Sequence, residues 1–152
     1  MKIENIKLSL SALIITYNEE KHIAEILQQL DFADEIIVVD SFSSDKTVEI
    51  ANTFEKVKTY QNTFIDYSSQ RNFAIDCAKN PWILFLDADE RITPELKTEI
   101  IETVQKPETA SAYLVYRTFI YEDKKLHFSG WQTDKIFRLF KKDKARYTTE
   151  RL

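Results

Sequence analysis

One glycine among 152 residues is the scarcest feature of this chain, and the scarcity excludes more than any motif present. Glycine-rich turns close around phosphates because a residue without Cβ reaches positive φ without strain and lets the backbone approach. With Gly130 alone, neither the dinucleotide-binding fingerprint nor the phosphate loop of nucleoside triphosphatases can be written. Any nucleotide held here must be held by side chains and a metal ion. Cysteine is as scarce. Cys77 has no partner for an intramolecular disulfide, and Phe73, Ala74 and Ala78 beside it read as the apolar face of a helix, so it is expected in the core and not as a catalytic thiol. An excess of positive charge is also missing: 21 Lys and Arg stand against 25 Asp and Glu, interspersed, which offers nucleic acid no electrostatic footprint. No apolar run reaches the ~18 residues a membrane-spanning helix needs, and Met1-Lys2-Ile3-Glu4-Asn5 is too polar for a secretory signal. The chain is therefore expected to be cytoplasmic.

What is present is a core-forming composition, 43% hydrophobic and 12% aromatic, enough for one globular domain over 1–152. Leu8 to Thr16 begins by alternating and becomes continuously apolar, as a strand buried on both faces does. Tyr17-Asn18-Glu19-Glu20 follows, with Asn18 as expected N-cap and Ile23, Leu27 and Leu30 as a helical stripe. The unit repeats: Glu35 to Asp40 reads as a strand, Ser41 to Asp45 as a polar turn, and Val48, Ala51 and Phe54 as one side of a helix. Lys56 to Tyr60 reads as a third strand, Tyr67 to Lys79 as a helix and Trp82 to Leu86 as a fourth strand. Thr93-Pro94 then opens a helix lined by Leu96, Ile100 and Val104, which Pro107 helps to stop. Beyond it, Ala110 to Ile120 and Trp131 to Phe140 read as strands joined through the charged tip Glu122-Asp123-Lys124-Lys125 with no helix between. The expectation is an α/β fold, mostly parallel, with helices against the sheet and an antiparallel C-terminal part.

Directly behind the fourth apolar run stands Asp87-Ala88-Asp89. An ionised carboxylate at the lip of an apolar core is costly unless hydrated, hydrogen-bonded or paired, and a divalent cation carrying phosphate supplies such a partner. Capping the next helix is the plainer use of such acids. In an open parallel sheet ligands sit beyond the carboxyl ends of the strands, so Thr16 to Glu19, Asp40-Ser41 and Asp87 to Asp89 are expected to converge on one crevice.

Three segments, Leu13 to Glu20 (LIITYNEE), Ile37 to Thr47 (IVVDSFSSDKT) and Leu86 to Glu90 (LDADE), resemble in order the signatures of the family 2 inverting glycosyltransferases of GT-A fold. The tail Ser129 to Phe140 (SGWQTDKIFRLF) is similar to the subgroup that glucosylates the lipopolysaccharide core. The resemblance implies a Rossmann-like GT-A domain that moves a hexose from a nucleotide sugar, UDP-linked, to a glycan or lipid-linked acceptor, at the inner face of the membrane if the acceptor is a lipid. Thr16, Tyr17 and Glu19 would line the nucleoside pocket. Asp40 would accept the ring N–H of uracil, which a carboxylate can do and bases lacking that proton cannot match. Arg71 would approach the nucleotide, Asp87 the ribose or the metal, and Asp89 a Mg2+ or Mn2+ bridging the phosphates, a Lewis acid for the departing diphosphate. Glu90 would assist the metal or pair with Arg91, and Trp131 would stack on a sugar or lie in the core.

Inversion also requires a base for the acceptor hydroxyl. The resemblance puts it downstream of Arg138-Leu139-Phe140, where the sequence ends, so a truncated C-terminus is expected, with Asp134 and Glu150 as internal candidates. Two other readings stay open on these residues. One is a fragment that binds a nucleotide sugar, or only folds, without turnover. The other is an aspartyl phosphotransferase, against which stands the position of Asp87-Ala88-Asp89 behind the fourth strand and not the first.

Overall fold

The computed structural model describes residues 6–126 and 134–148. Trp131, Gly130, His127 and Glu150 lie outside the described residues. A six-stranded sheet runs in the order β3-β2-β1-β4-β8-β5: β1 is Leu10–Thr16, β2 Glu35–Asp40, β3 Val57–Gln61, β4 Trp82–Asp87, β5 Ala112–Tyr116 and β8 Lys135–Lys141. The first four strands pair in parallel, and β8 enters antiparallel between β4 and β5. A small separate hairpin, β6 (Ile120–Tyr121) with β7 (Lys124–Lys125), carries the charged tip. Glu122 and Asp123 both take positive φ there, as a two-residue hairpin turn of matching twist requires.

The continuous apolar strands are explained by helices on both faces. Leu10, Ala12, Ile14, Ile36, Val38, Leu84 and Leu86 pack on one side with α1 (Ile23–Gln29), α2 (Thr47–Ala51) and α4 (Pro94–Gln105). Leu13, Ile37, Val39, Ile83 and Phe85 turn to the other side, against Ala74 and Ile75 of α3 (Tyr67–Cys77). Each fully buried Leu or Ile contributes about 1.5–3 kcal/mol relative to exposure, so a one-residue slip of β1 would exchange its whole buried set between faces. Cys77 lies partly buried against the second cluster, and burial pushes its thiol up, as suits packing and not nucleophilic attack.

Several boundaries differ from the sequence expectation. Thr93 caps α4 as expected, accepting the Leu96 N–H. Asn18 does not cap α1, whose N-cap is His22; Asn18 takes φ 54° and turns its Oδ1 to the Ser44 N–H at 2.8 Å. A partner in the next loop has overridden the local capping preference. α2 ends at Ala51, leaving Phe54 to pack against the core from a loop. α3 ends at Cys77 because Ala78 is extended, and the strand expected over 110–120 is cut to Ala112–Tyr116, with Ile120 at its far end falling in the hairpin.

Candidate functional site

β2 and β3 lie on one side of β1, and β4 on the other, so the winding of the sheet reverses between β1 and β4. Loops leaving the two strands part there and leave a crevice at their carboxyl ends. A hollow of about 700 Å³ occupies it. The end of β1 supplies Ile15, Thr16, Tyr17 and then Glu19, and the end of β4 supplies Asp87, Ala88 and Asp89. Ser41 follows β2, and Phe64, Tyr67 and Arg71 close the wall around the start of α3.

Of the residues expected to form a site, Thr16, Tyr17, Glu19, Arg71, Asp87 and Asp89 line this hollow. Asp40 does not. It is fully buried behind Thr16, where its Oδ1 accepts the Thr16 hydroxyl at 3.0 Å and the Ser43 hydroxyl, and its Oδ2 accepts the Ser43 N–H at 2.8 Å. As placed, Asp40 fixes the rotamer of a lining residue and the turn that presents Ser41. Asp134 is also outside the wall, held by the Nε and Nη2 of Arg117. Its Oδ2 is occupied by the guanidinium.

The loops after β1 and β2 are laced together. The N–H groups of Asn18, Glu19 and Glu20 reach the Ser43 hydroxyl, the Thr47 hydroxyl and the Asp45 carboxylate, and the Lys46 N–H returns to Glu20. Left-handed φ at both Asn18 and Phe42 belongs to this lacing; for the aromatic residue it is unusual and is maintained by the surrounding bonds.

The turn after β4 is held as tightly. The Asp87 N–H donates to Glu90 Oε2 and the Glu90 N–H to the Asp87 carbonyl, both at 3.0 Å, closing the turn reciprocally. Asp87 Oδ1 accepts from Arg71 Nη2 at 3.3 Å and its Oδ2 from Arg138 Nη2 at 3.0 Å, while Glu90 Oε1 accepts from Arg138 Nη2 at 2.6 Å. Arg91 does not pair with the Glu90 carboxylate; it donates to the carbonyls of Ala88 and Glu90 and forms its ion pair with Glu25 at 2.9 Å. Among the described residues, Asp89 alone of the three acids has no hydrogen-bond or ion-pair partner, and it is exposed.

Burial and then the charge of Asp89 hold the Glu19 carboxyl above its ordinary range. The two acids on the hollow's lip thus repel each other without a cation between them. Among the described residues no three His, Cys, Asp or Glu side chains gather as a ready-made metal site. A magnesium-like ion needs only one or two carboxylates when phosphates and water fill the rest of its shell. Asp89, with Glu19 nearby, fits that demand, whereas both oxygens of Asp87 are already taken by guanidinium groups.

Phe64 and Tyr67 escaped the sequence reading because they precede or begin a helix without any charge or motif to mark them. Their rings meet edge to face at 5.1 Å, and the Arg71 guanidinium lies 5.6 Å from the Tyr67 centroid and 5.2 Å from that of Tyr147. Arg138 was missed as well, although it stands within the apolar run Ile136 to Phe140, and a charge buried in such company must have a partner.

The profile of glycosyl transferase family 2 matches residues 11–151, nearly the full chain. The chain belongs to that family. Within it, an uncharacterized glycosyltransferase of Rickettsia bellii is 41% identical over 109 residues, which are 71% of this chain and 36% of the relative. The lipopolysaccharide core biosynthesis glycosyltransferase LpsC of Rhizobium meliloti is 30% identical over 115 residues, covering 73% of this chain and 43% of LpsC. Among solved structures, S. aureus TarS 1-349 in complex with UDP superposes with a TM-score of 0.62 at 26% identity, over 79% of this chain and 38% of that one. The GT-A fold is therefore established, and the chain spans about a third of the length of the Rickettsia relative. Among the described residues no helix is long and apolar enough to cross a membrane.

Proposed function

We propose that the hollow binds a nucleoside-diphosphate sugar, with UDP as its nucleotide, and that the sugar is passed with inversion to a glycan or lipid-linked acceptor. The observation that carries this reading is the lone free carboxylate of the acid turn, Asp89, opening into a hollow that also holds Glu19, Arg71 and three aromatic rings. Tyr17, Phe64 and Tyr67 offer flat faces to a base and ribose. Arg71, already poised on Asp87, presents a guanidinium to the nucleotide, and Thr16 borders the nucleoside with its hydroxyl set by Asp40. Asp87 is within reach of the ribose, and Asp40 specifies uracil if it exchanges its Ser43 bond for the ring N–H. The UDP complex of TarS supports the nucleotide, and the name of LpsC supports a lipopolysaccharide-core acceptor, which would bring the chain to the inner membrane face.

Asp89 would hold the Mg2+ or Mn2+, with Glu19 adding negative charge nearby, and the ion would neutralise the diphosphate as it leaves. Among the described residues the carboxylates lining the hollow are Glu19, Asp87 and Asp89, all on the donor side in this reading. The acceptor base is assigned to none of them, and Asp134 serves only if it leaves Arg117.

Calorimetric titration of UDP with and without Mn2+ tests the proposal. The native chain is expected to bind UDP in a metal-dependent way, and Asp89→Asn to weaken metal-dependent binding about a hundredfold, or ~2.7 kcal/mol. Equal affinity with and without the ion, or no effect of Asp89→Asn, refutes it.

A further inference from the structure

Among the described residues Arg138 is the largest fully buried side chain, 1% exposed, and it sits where β8 is irregular. The β5 to β8 register passes from Tyr113↔Leu139 to Leu114↔Phe137, which leaves Arg138 without an opposite residue on β5. A bulge of this kind bends its strand and re-aims the extra side chain, and bulges concentrate near functional sites for that reason. Here the re-aimed side chain crosses to the turn after β4 and bonds two of its three acids, Asp87 at 3.0 Å and Glu90 at 2.6 Å. Burial on its own would lower the pKa of Arg138, but the charges of Glu90 and Asp87 outweigh it and the cation is held. A single nitrogen of Arg138, Nη2, bonds both carboxylates.

We infer that Arg138 is a positioning residue: from the antiparallel part of the sheet it neutralises and immobilises Asp87 and Glu90, so that Asp89 is the one acid of the turn left free to face the hollow. Without it, the guanidinium contacts left to Asp87 and Glu90 would be the longer ones of Arg71 at 3.3 Å and Arg117 at 3.8 Å. Three acids would then compete for one cation and the turn would lose the brace that sets its shape. The arrangement makes the β8 strand a part of the donor site although none of its residues lines the hollow.

The consequence for metal binding rests on the function proposed above; the consequence for the turn does not. Two variants separate charge from bulk, Arg138→Lys and Arg138→Met. The first readout needs no ligand: amide hydrogen exchange at Asp87 and Glu90, whose N–H groups close the turn, compared with Ile14 and Val38 in the neighbouring strands. Arg138→Met is expected to lower protection of the two turn amides at least about tenfold more than that of the strand amides, with Arg138→Lys between it and the native chain. Equal loss at all four amides, or no loss at the turn, overturns the inference. The second readout is UDP binding with Mn2+. Loss of a brace behind a metal ligand typically weakens the metal about 10- to 100-fold, so metal-dependent binding should fall in Arg138→Met and recover in part in Arg138→Lys, while metal-free binding changes little. Native-like Mn2+ dependence in a folded Arg138→Met also overturns it. Should the native chain fail to bind UDP at all, the proposed function falls, and the exchange experiment decides the role of Arg138 by itself.

Discussion

The two ends of the parallel sheet treat an acid set against the core in opposite ways. At the amino end Glu35 begins β2 and accepts the Ser11 hydroxyl at 2.6 Å, the Lys79 N–H and Lys58 at 3.3 Å. Ser11 is bonded in turn by both nitrogens of Asn80, so this one carboxylate ties together the starts of four strands. Burial would push the Glu35 carboxyl up, but these donors together hold it below its ordinary 4.5. At the carboxyl end Glu19 has the reverse balance: burial and Asp89 push it up, and His22 and Arg91 only partly oppose them. One end spends its polar groups on stability, the other leaves them underpaired for a ligand to complete. A binding site in this fold is thus recognisable as the end where the electrostatics is unfinished.

The contrast is broken most severely at Glu35. Glu35→Ala removes the acceptor from a buried hydroxyl, a partly buried N–H and an ammonium, and is expected to lower stability by about 3 kcal/mol in denaturant unfolding. UDP binding by whatever fraction remains folded should be unchanged, since the lesion lies at the opposite end of the strands.

Asp40→Ala sharpens the comparison because Asp40 sits at the carboxyl end yet is saturated like Glu35, by Thr16 and twice by Ser43. If saturation and not location determines the cost, this variant loses about 2 kcal/mol despite its position. A loss below ~0.5 kcal/mol would mean that the carboxyl end as a whole contributes little to stability.

How far the sequence discloses this architecture follows the same division. β1, β2 and β4 were legible because uninterrupted apolar runs have one use in an α/β chain, and the crevice followed from the polar residue behind each strand. Thr93-Pro94 was legible since its cap is complete within four residues. Asn18 misled because its partner Ser44 is 26 residues away, and periodicity carries no information at that range. Asp134 and Arg138 were opaque for a related reason: which acids are free is decided by arginines on other strands. Spacing can nominate Asp87 and Asp89 together, but only the guanidinium contacts distinguish them.

Glu19→Gln gives the smallest effect and the most direct test of underpairing. Because the folded state binds the Glu19 proton more tightly than the unfolded chain does, ionisation penalises folding, and the penalty develops as pH rises from about 4.5 through the raised folded value. Glu35 acts in the opposite sense: its contribution is present above 4.5 and is lost as pH falls through its lowered folded value. The neutral variant Glu19→Gln should therefore be more stable than the native chain at pH 7, by a few tenths of a kcal/mol given its partial exposure, and indistinguishable at pH 4. Denaturant unfolding at the two pH values measures the difference. With saturating Mn2+ and UDP the sign should reverse at pH 7, since the ion turns the charge of Glu19 from a penalty into an attraction. A stability gain that persists unchanged under those conditions would show that no cation enters between Glu19 and Asp89.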